Sequence, residues 1–182
     1  MQLPQHGDAV FAHTSNTYGW VIRLGQAIRW WKYRSWNHMA YVDSVDEDGT
    51  IWVIQMARRC ERVKIQDVAP KGHVKIIHCP PEVNREMASI YARKQLGIKY
   101  GVLTIISIAV NLFMPNPLRL DIRKEDTLIC SALVARAWEH GGWNCPVDPF
   151  QVTPAEFDKI LGGGGTQIYL SLIHISEPTR PY

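Results

Sequence analysis

The chain lacks any Cys-x-x-Cys pair. Its four cysteines, at positions 60, 79, 130 and 145, are spaced like neither a zinc site nor a disulfide framework. His73, His78 and Cys79 lie close in sequence, but strand alternation puts His78 on the other face from the remaining two. No metal and no cofactor are therefore expected. Net charge is also scarce: +3 over 182 residues is too weak a field to predict a nucleic-acid partner. The one basic run, Arg58-Arg59-Cys60-Glu61-Arg62-Val63-Lys64, reads as a solvated strand face that would tolerate an anionic substrate. Long apolar runs are missing as well. The sharpest membrane candidate, Val102 to Met114, is ended by Pro115 and Pro117 and falls short of the roughly 20 residues that span a bilayer. It reads as a buried core helix, with a weakly lipid-facing or acyl-binding helix as the sharper alternative. Met1 to Asp8 has no basic region followed by an apolar core, so no ordinary secretory signal peptide is expected. A cytoplasmic or phage-associated monomer fits these absences.

What is present suffices for one domain. A chain of this size buries a full core without metal or disulfide support. The domain is placed at 1–169. After the run Gly162 to Gly165, residues 170–182 bear no periodic relation to the rest and look like the translation of a sequencing adapter. His174 is accordingly left out of the candidate site residues. Two helices are readable outside the site: Val21 to Trp30, and Glu82 to Leu96 between Pro80-Pro81 and Gly97. Trp20, Trp30, Trp31, Tyr33 and Trp36 crowd the segment before His38. Core packing explains them as well as a substrate groove does.

The chemistry centres on Cys130. Ile129, Leu133, Val134, Ala137 and Trp138 form an apolar stripe, Asp126 or Thr127 is placed to cap the helix start, and Gly141-Gly142 ends it. A thiol in the first turn of a helix meets N–H groups and the positive end of the dipole, both of which favour the thiolate. A lone Cys there is more often a small core residue, so a partner has to shift the odds. His38 supplies one. It sits in the strand-forming segment Trp36 to Val42, Asp43 to Gly49 is a polar turn, and Thr50 to Ala57 returns as a second strand. With the loop centred between Asp46 and Glu47, Gln55 falls directly opposite His38 on one sheet face. Ala40, Val42, Ile51 and Val53 share that face, and Met39, Tyr41, Trp52 and Ile54 take the other. Both faces are apolar, so both are expected to be covered, with His38 and Gln55 as the polar exceptions. A buried His bonded to a Gln for purely structural reasons gives the same pattern, and a one-residue slip sends Gln55 to the wrong face.

Cys130, His38 and Gln55 fit the roles of nucleophile, base and orienting group, with the Cys130 backbone N–H as oxyanion donor. At these residues the chain resembles the circularly permuted NlpC-type papain-like cysteine hydrolases, relatives of the YiiX-like and lecithin:retinol acyltransferase-like proteins. Gly7-Asp8-Ala9-Val10-Phe11 is similar to the family's opening Gly-Asp strand, and Asn37-His38-Met39-Ala40-Tyr41-Val42 to its His strand. Gln55-Met56-Ala57 stands in the place of its Glu-Ala pair, and Lys99-Tyr100-Gly101 resembles its Pro-Tyr turn. Cys130-Ser131-Ala132-Leu133-Val134 is similar to its Cys-Ser-Gln-Leu-Val helix, and Thr153-Pro154-Ala155-Glu156-Phe157 to its Thr-Pro-Ala-Asp-Leu motif. Two departures stand out: Gln55 replaces an acid, and Asn37 replaces a small residue.

The expected fold is α+β and permuted papain-like, an antiparallel β-barrel-like sheet packed with helices. The resemblance implies a cysteine hydrolase acting on an amide, of a peptidoglycan-type peptide or an N-acyl bond, through an acyl-Cys130 intermediate. Tyr100, Trp36 and Asn37 are candidate substrate-binding residues, and the partner is a peptide or acyl substrate. Two alternatives are a non-catalytic binding or phage structural module that keeps the fold, and a lipid acyltransferase or thioesterase.

Overall fold

The turn Asp46–Thr50 sets the register of the sheet. Gly49 takes a positive φ of 83°, Gly49 N–H donates to the Asp46 carbonyl at 3.0 Å, and Thr50 N–H donates to Asp48 Oδ1 at 2.8 Å. Only glycine adopts that φ without strain, so the hairpin folds back here. It joins β2 (His38–Val45) to β3 (Ile51–Met56). The computed structural model describes residues 4–14, 35–69, 73–104, 107, 127–163 and 166–169. The helix expected over 21–30, the aromatics Trp20, Trp30, Trp31 and Tyr33, most of 102–114 and all of 170–182 lie outside them.

Among the described residues six further strands and four helices surround this hairpin, beginning with β1 (Ala9–Ala12), β4 (Cys60–Lys64), α1 (Ile65–Val68), β5 (His73–Ile77), α2 (Arg85–Lys94), β6 (Lys99–Tyr100), β7 (Thr127–Leu128), α3 (Cys130–His140) and α4 (Pro154–Ile160). The last strand is β8 (Thr166–Tyr169). Among the described residues the main sheet runs β4-β3-β2-β1-β5-β8, every pair antiparallel. The expected barrel-like sheet is corrected to an open one. Its outer strands β4 and β8 do not pair with each other, so closure is lacking. The α+β class holds.

Both sheet faces are covered, as the alternation predicted. Val10, Ala12, Ala40, Val42, Ile51, Val53, Val74 and Ile76 pack with Ile65 and Val68 of α1 on one side. Phe11, Met39, Tyr41, Ile54 and Met56 face Leu133, Trp138 and Phe157 on the other. α3 is buried almost all round rather than along a stripe, since Ser131, Ala132 and Ala135 join the five stripe residues in the interior. Its C-terminal end meets the start of α2, where Asn84 N–H donates to the Gly141 carbonyl at 2.7 Å. A Cβ on Gly141 would lie 2.5 Å from Val83 Cγ1 and 2.8 Å from the Asn84 carbonyl oxygen. Gly141→Ala is therefore expected to cost about 1–3 kcal/mol in urea unfolding through overpacking.

Two helix starts differ from expectation. α2 begins at Arg85 rather than Glu82, because the Asn84 side chain accepts from Met87 N–H at 3.1 Å and makes the better cap. α3 begins at Cys130, with Ile129 as its N-cap and no side-chain capping bond. Thr127 cannot cap it because Thr127 and Leu128 are extended, paired in parallel with Lys99 and Tyr100. No helix among the described residues is long and apolar enough to cross a membrane.

Two buried polar centres tie the layers together. Asp8, fully buried, accepts from Cys79 N–H at 3.0 Å, Arg85 Nη1 at 2.9 Å and Gln5 N–H at 2.9 Å, and lies 2.8 Å from His78 Nδ1. Lys75 Nζ on β5 donates to Asp158 Oδ1 of α4 at 2.5 Å and to the Gly163 carbonyl at 3.0 Å.

Candidate active site

His38 is the first residue of β2 and Cys130 the first of α3, and the helix packs on that strand. The imidazole lies beside the Cys130 thiol on one side, close enough for each to shift the other's titration. On the other, His38 Nε2 lies 2.8 Å from Gln55 Oε1. Cys130, His38 and Gln55 are 1%, 8% and 9% exposed, so this polar chain is formed largely out of water. The three residues singled out from the sequence thus converge.

Their register is not the expected one. Gln55 pairs with Ala40, not with His38, and reaches the imidazole along the diagonal. Two changes combine: the turn is centred at Asp48, three pairing positions further along, and a bulge takes one back, Asp43 being an extra residue between the pairs Val42↔Val53 and Ser44↔Trp52. Without it the turn register would set Gln55 opposite Tyr41, on the face away from His38. The bulge is held by two cations. Asp43, 3% exposed, accepts from Arg62 Nε and Arg93 Nε, each at 2.6 Å.

Electrostatics favour an ion pair. Burial pushes the Cys130 thiol up, but the hydrogen bond and charge of His38, with backbone hydrogen bonds from Met39 and Ser131, bring it below its ordinary value. Burial likewise disfavours a charged His38. The hydrogen bond and charge of Cys130, then Gln55 and Glu61, outweigh that and raise its pKa. The other thiols move the opposite way. Burial lifts Cys60 and Cys79 to about 12 and raises Cys145.

The helix start contributes through what it omits. α2 and α4 are capped by Asn84 and Thr153 side chains, whereas the apolar Ile129 leaves the first turn of α3 without one. The N-terminal peptide groups thus face the thiol with no side-chain acceptor competing for them.

Glu61 was missed. Gln55 Nε2 donates to Glu61 Oε1 at 2.9 Å, and the two residues are paired across β3 and β4. The basic run containing Glu61 is thus not only a solvated face, since Arg62 also binds Asp43 and Ser44. Tyr100 is half-buried on β6, beside the strand leading into Cys130. Asn37 has structural partners: its Oδ1 accepts from Thr14 N–H at 2.8 Å and its Nδ2 donates to the Thr14 carbonyl at 2.7 Å. Trp36, 5% exposed, packs its ring 5.3 Å from that of His73.

No family model matches the sequence, and no curated protein is significantly similar to it. Among solved structures, the metalloprotein YiiX from Escherichia coli O157:H7 aligns over 97% of this chain and 94% of that chain. Identity is 13% and the TM-score 0.56. The fold is YiiX-like. At that identity the likeness extends to the architecture alone.

Proposed function

We propose that this protein is a cysteine hydrolase of permuted papain-like type that cleaves an amide through an acyl-Cys130 intermediate. The observation that carries the reading is the buried group Cys130, His38 and Gln55, with the imidazole bonded to Gln55 and beside the thiol, a lowered thiol pKa and a raised imidazole pKa. The Cys130 thiolate attacks the carbonyl carbon, and a C–S bond forms as the oxygen takes the negative charge. The backbone N–H of Cys130, at the uncapped start of α3, serves that oxyanion. Collapse breaks the bond to the leaving amine, which takes the proton from His38. Water then gives a proton to His38 and attacks the acyl carbon, releasing the acid and restoring the pair. Gln55 holds the imidazole in place throughout. A peptidoglycan-type peptide or another N-acyl amide is the leading substrate class, on resemblance.

The neighbour named above is a metalloprotein, which raises a metal-centred reading. Among the described residues no three His, Cys, Asp or Glu side chains are grouped to hold an ion. His38 Nε2 is already engaged by Gln55. The donor set therefore does not fit a metal, and the thiolate reading is favoured.

The test is the rate of Cys130 alkylation by iodoacetamide against pH, in the natural chain and in His38→Ala. The pair predicts a plateau of labelling extending well below the ordinary thiol pKa of about 8.5. In His38→Ala the rate should rise only at alkaline pH. Slow labelling with an ordinary thiol profile in both chains would remove the hydrolase reading and leave a binding module.

A further inference from the structure

An amide beside a histidine is ambiguous by itself. Gln55 could present either its oxygen or its nitrogen to His38, and the two choices place the imidazole proton on different nitrogens. The next group along decides. Glu61 Oε1 lies 2.9 Å from Gln55 Nε2, and a carboxylate accepts hydrogen bonds without donating. The amide nitrogen must therefore face Glu61, which turns the amide oxygen to His38 Nε2 at 2.8 Å. Because that oxygen only accepts, Nε2 carries the hydrogen. Nδ1 is then the nitrogen with a lone pair, available for the Cys130 proton.

We propose that Glu61 is a positioning residue of this site, selecting through Gln55 the His38 tautomer that can accept the thiol proton. The inference rests on the Cys130–His38 pair proposed above. The sheet provides the geometry: Gln55↔Glu61 is a register pair of β3 and β4, so the two side chains share a face. The adjacent cation does not compete, since Arg62 on the same strand is drawn to Asp43 at 2.6 Å and to Ser44 at 2.9 Å. Gln55 alone supplies orientation without charge. With Glu61 behind it, the site regains a carboxylate at one remove, where the amide passes on its influence.

The test reverses the polarity of the last group. In a Cys130→Ala background, ¹⁵N NMR of the neutral His38 imidazole should show the Nε2–H tautomer. Glu61→Lys donates to the amide oxygen instead, turns the amide round, and should shift His38 to the Nδ1–H tautomer. Glu61→Ala should give a mixture. With Cys130 present, Glu61→Lys should slow alkylation at neutral pH by about 10-fold or more, in line with the penalty for a base held in the wrong tautomer. Glu61→Gln, whose oxygen can still accept, should recover part of the rate. Glu61 is exposed, so these variants should keep the fold, which circular dichroism checks. An unchanged tautomer and an unchanged rate in Glu61→Lys would overturn the role of Glu61 while leaving the Cys130–His38 pair intact. Loss of the pair itself would show separately, as an alkylation rate that His38→Ala does not alter, and would overturn both.

Discussion

Replacing His38 with Ala should lower the rate at which Cys130 takes an acyl group from an activated thioester by about 10²–10⁴-fold at neutral pH, the usual contribution of a positioned base. Intact-mass spectrometry follows the adduct directly, without knowledge of the natural leaving group. Background from other thiols is small for a stated reason. A thiol with pKa of about 12, as for Cys60 and Cys79, is ionised at pH 7 in about one molecule in 10⁵. Cys145 is raised as well. The adduct should therefore map to one residue and vanish in Cys130→Ala. The pH dependence follows from the two shifts. Thiolate is gained as pH rises through the lowered Cys130 value, and the imidazolium that protonates the leaving group is lost above the raised His38 value. Turnover of an amide should be bell-shaped between these limits. Adducts spread over several cysteines, or an acylation rate indifferent to His38, would count against catalysis.

Asp158→Ala should destabilise the fold by about 3–5 kcal/mol, because it strands the ammonium of a buried partner. Lys75 is 3% exposed and Asp158 4%, and Nζ sits 2.5 Å from the carboxylate. Once Asp158 is gone, Lys75 keeps, among the described residues, only the Gly163 carbonyl at 3.0 Å and a distant view of the Phe11 ring, 5.9 Å away. A shift in the urea midpoint at constant slope measures the cost. The double variant Lys75→Met, Asp158→Leu should regain most of the loss, because two apolar side chains leave no buried charge to satisfy. A single variant as stable as the natural chain would show that water reaches the pair.

Much of the site was legible because burial and parity are local properties. His38 and Gln55 were the polar residues of a hairpin apolar on both faces, and that contrast marks them without knowledge of the fold. The register was not legible. The turn centre lies at Asp48, which alone moves the partner of Gln55 three positions, and the Asp43 bulge takes one of them back. The pairing partner of Gln55 moved by two positions, from His38 to Ala40, and an even shift preserves the face. Glu61 was hidden because its role depends on how β4 returns along β3 after Ala57 to Arg59. The start of α3 was misplaced for a similar reason. Thr127 and Leu128 are strand residues only because Lys99 and Tyr100 lie beside them, a distant pairing that no capping signal records. The barrel expectation failed at the sheet margins, since closure depends on contacts between the first and last strands of the order.

The division of the site between one hairpin and one helix also bears on when reactivity appears during folding. His38, Gln55 and Glu61 belong to neighbouring strands joined by short turns, so they can assemble early from local contacts. Cys130 arrives from a distant part of the chain, on a helix that is buried only once it docks. Until then the thiol lacks its imidazole and is poorly ionised at neutral pH. A nascent or partly unfolded chain is thereby kept chemically quiet. Thiol reactivity becomes a report that the last large packing step is complete.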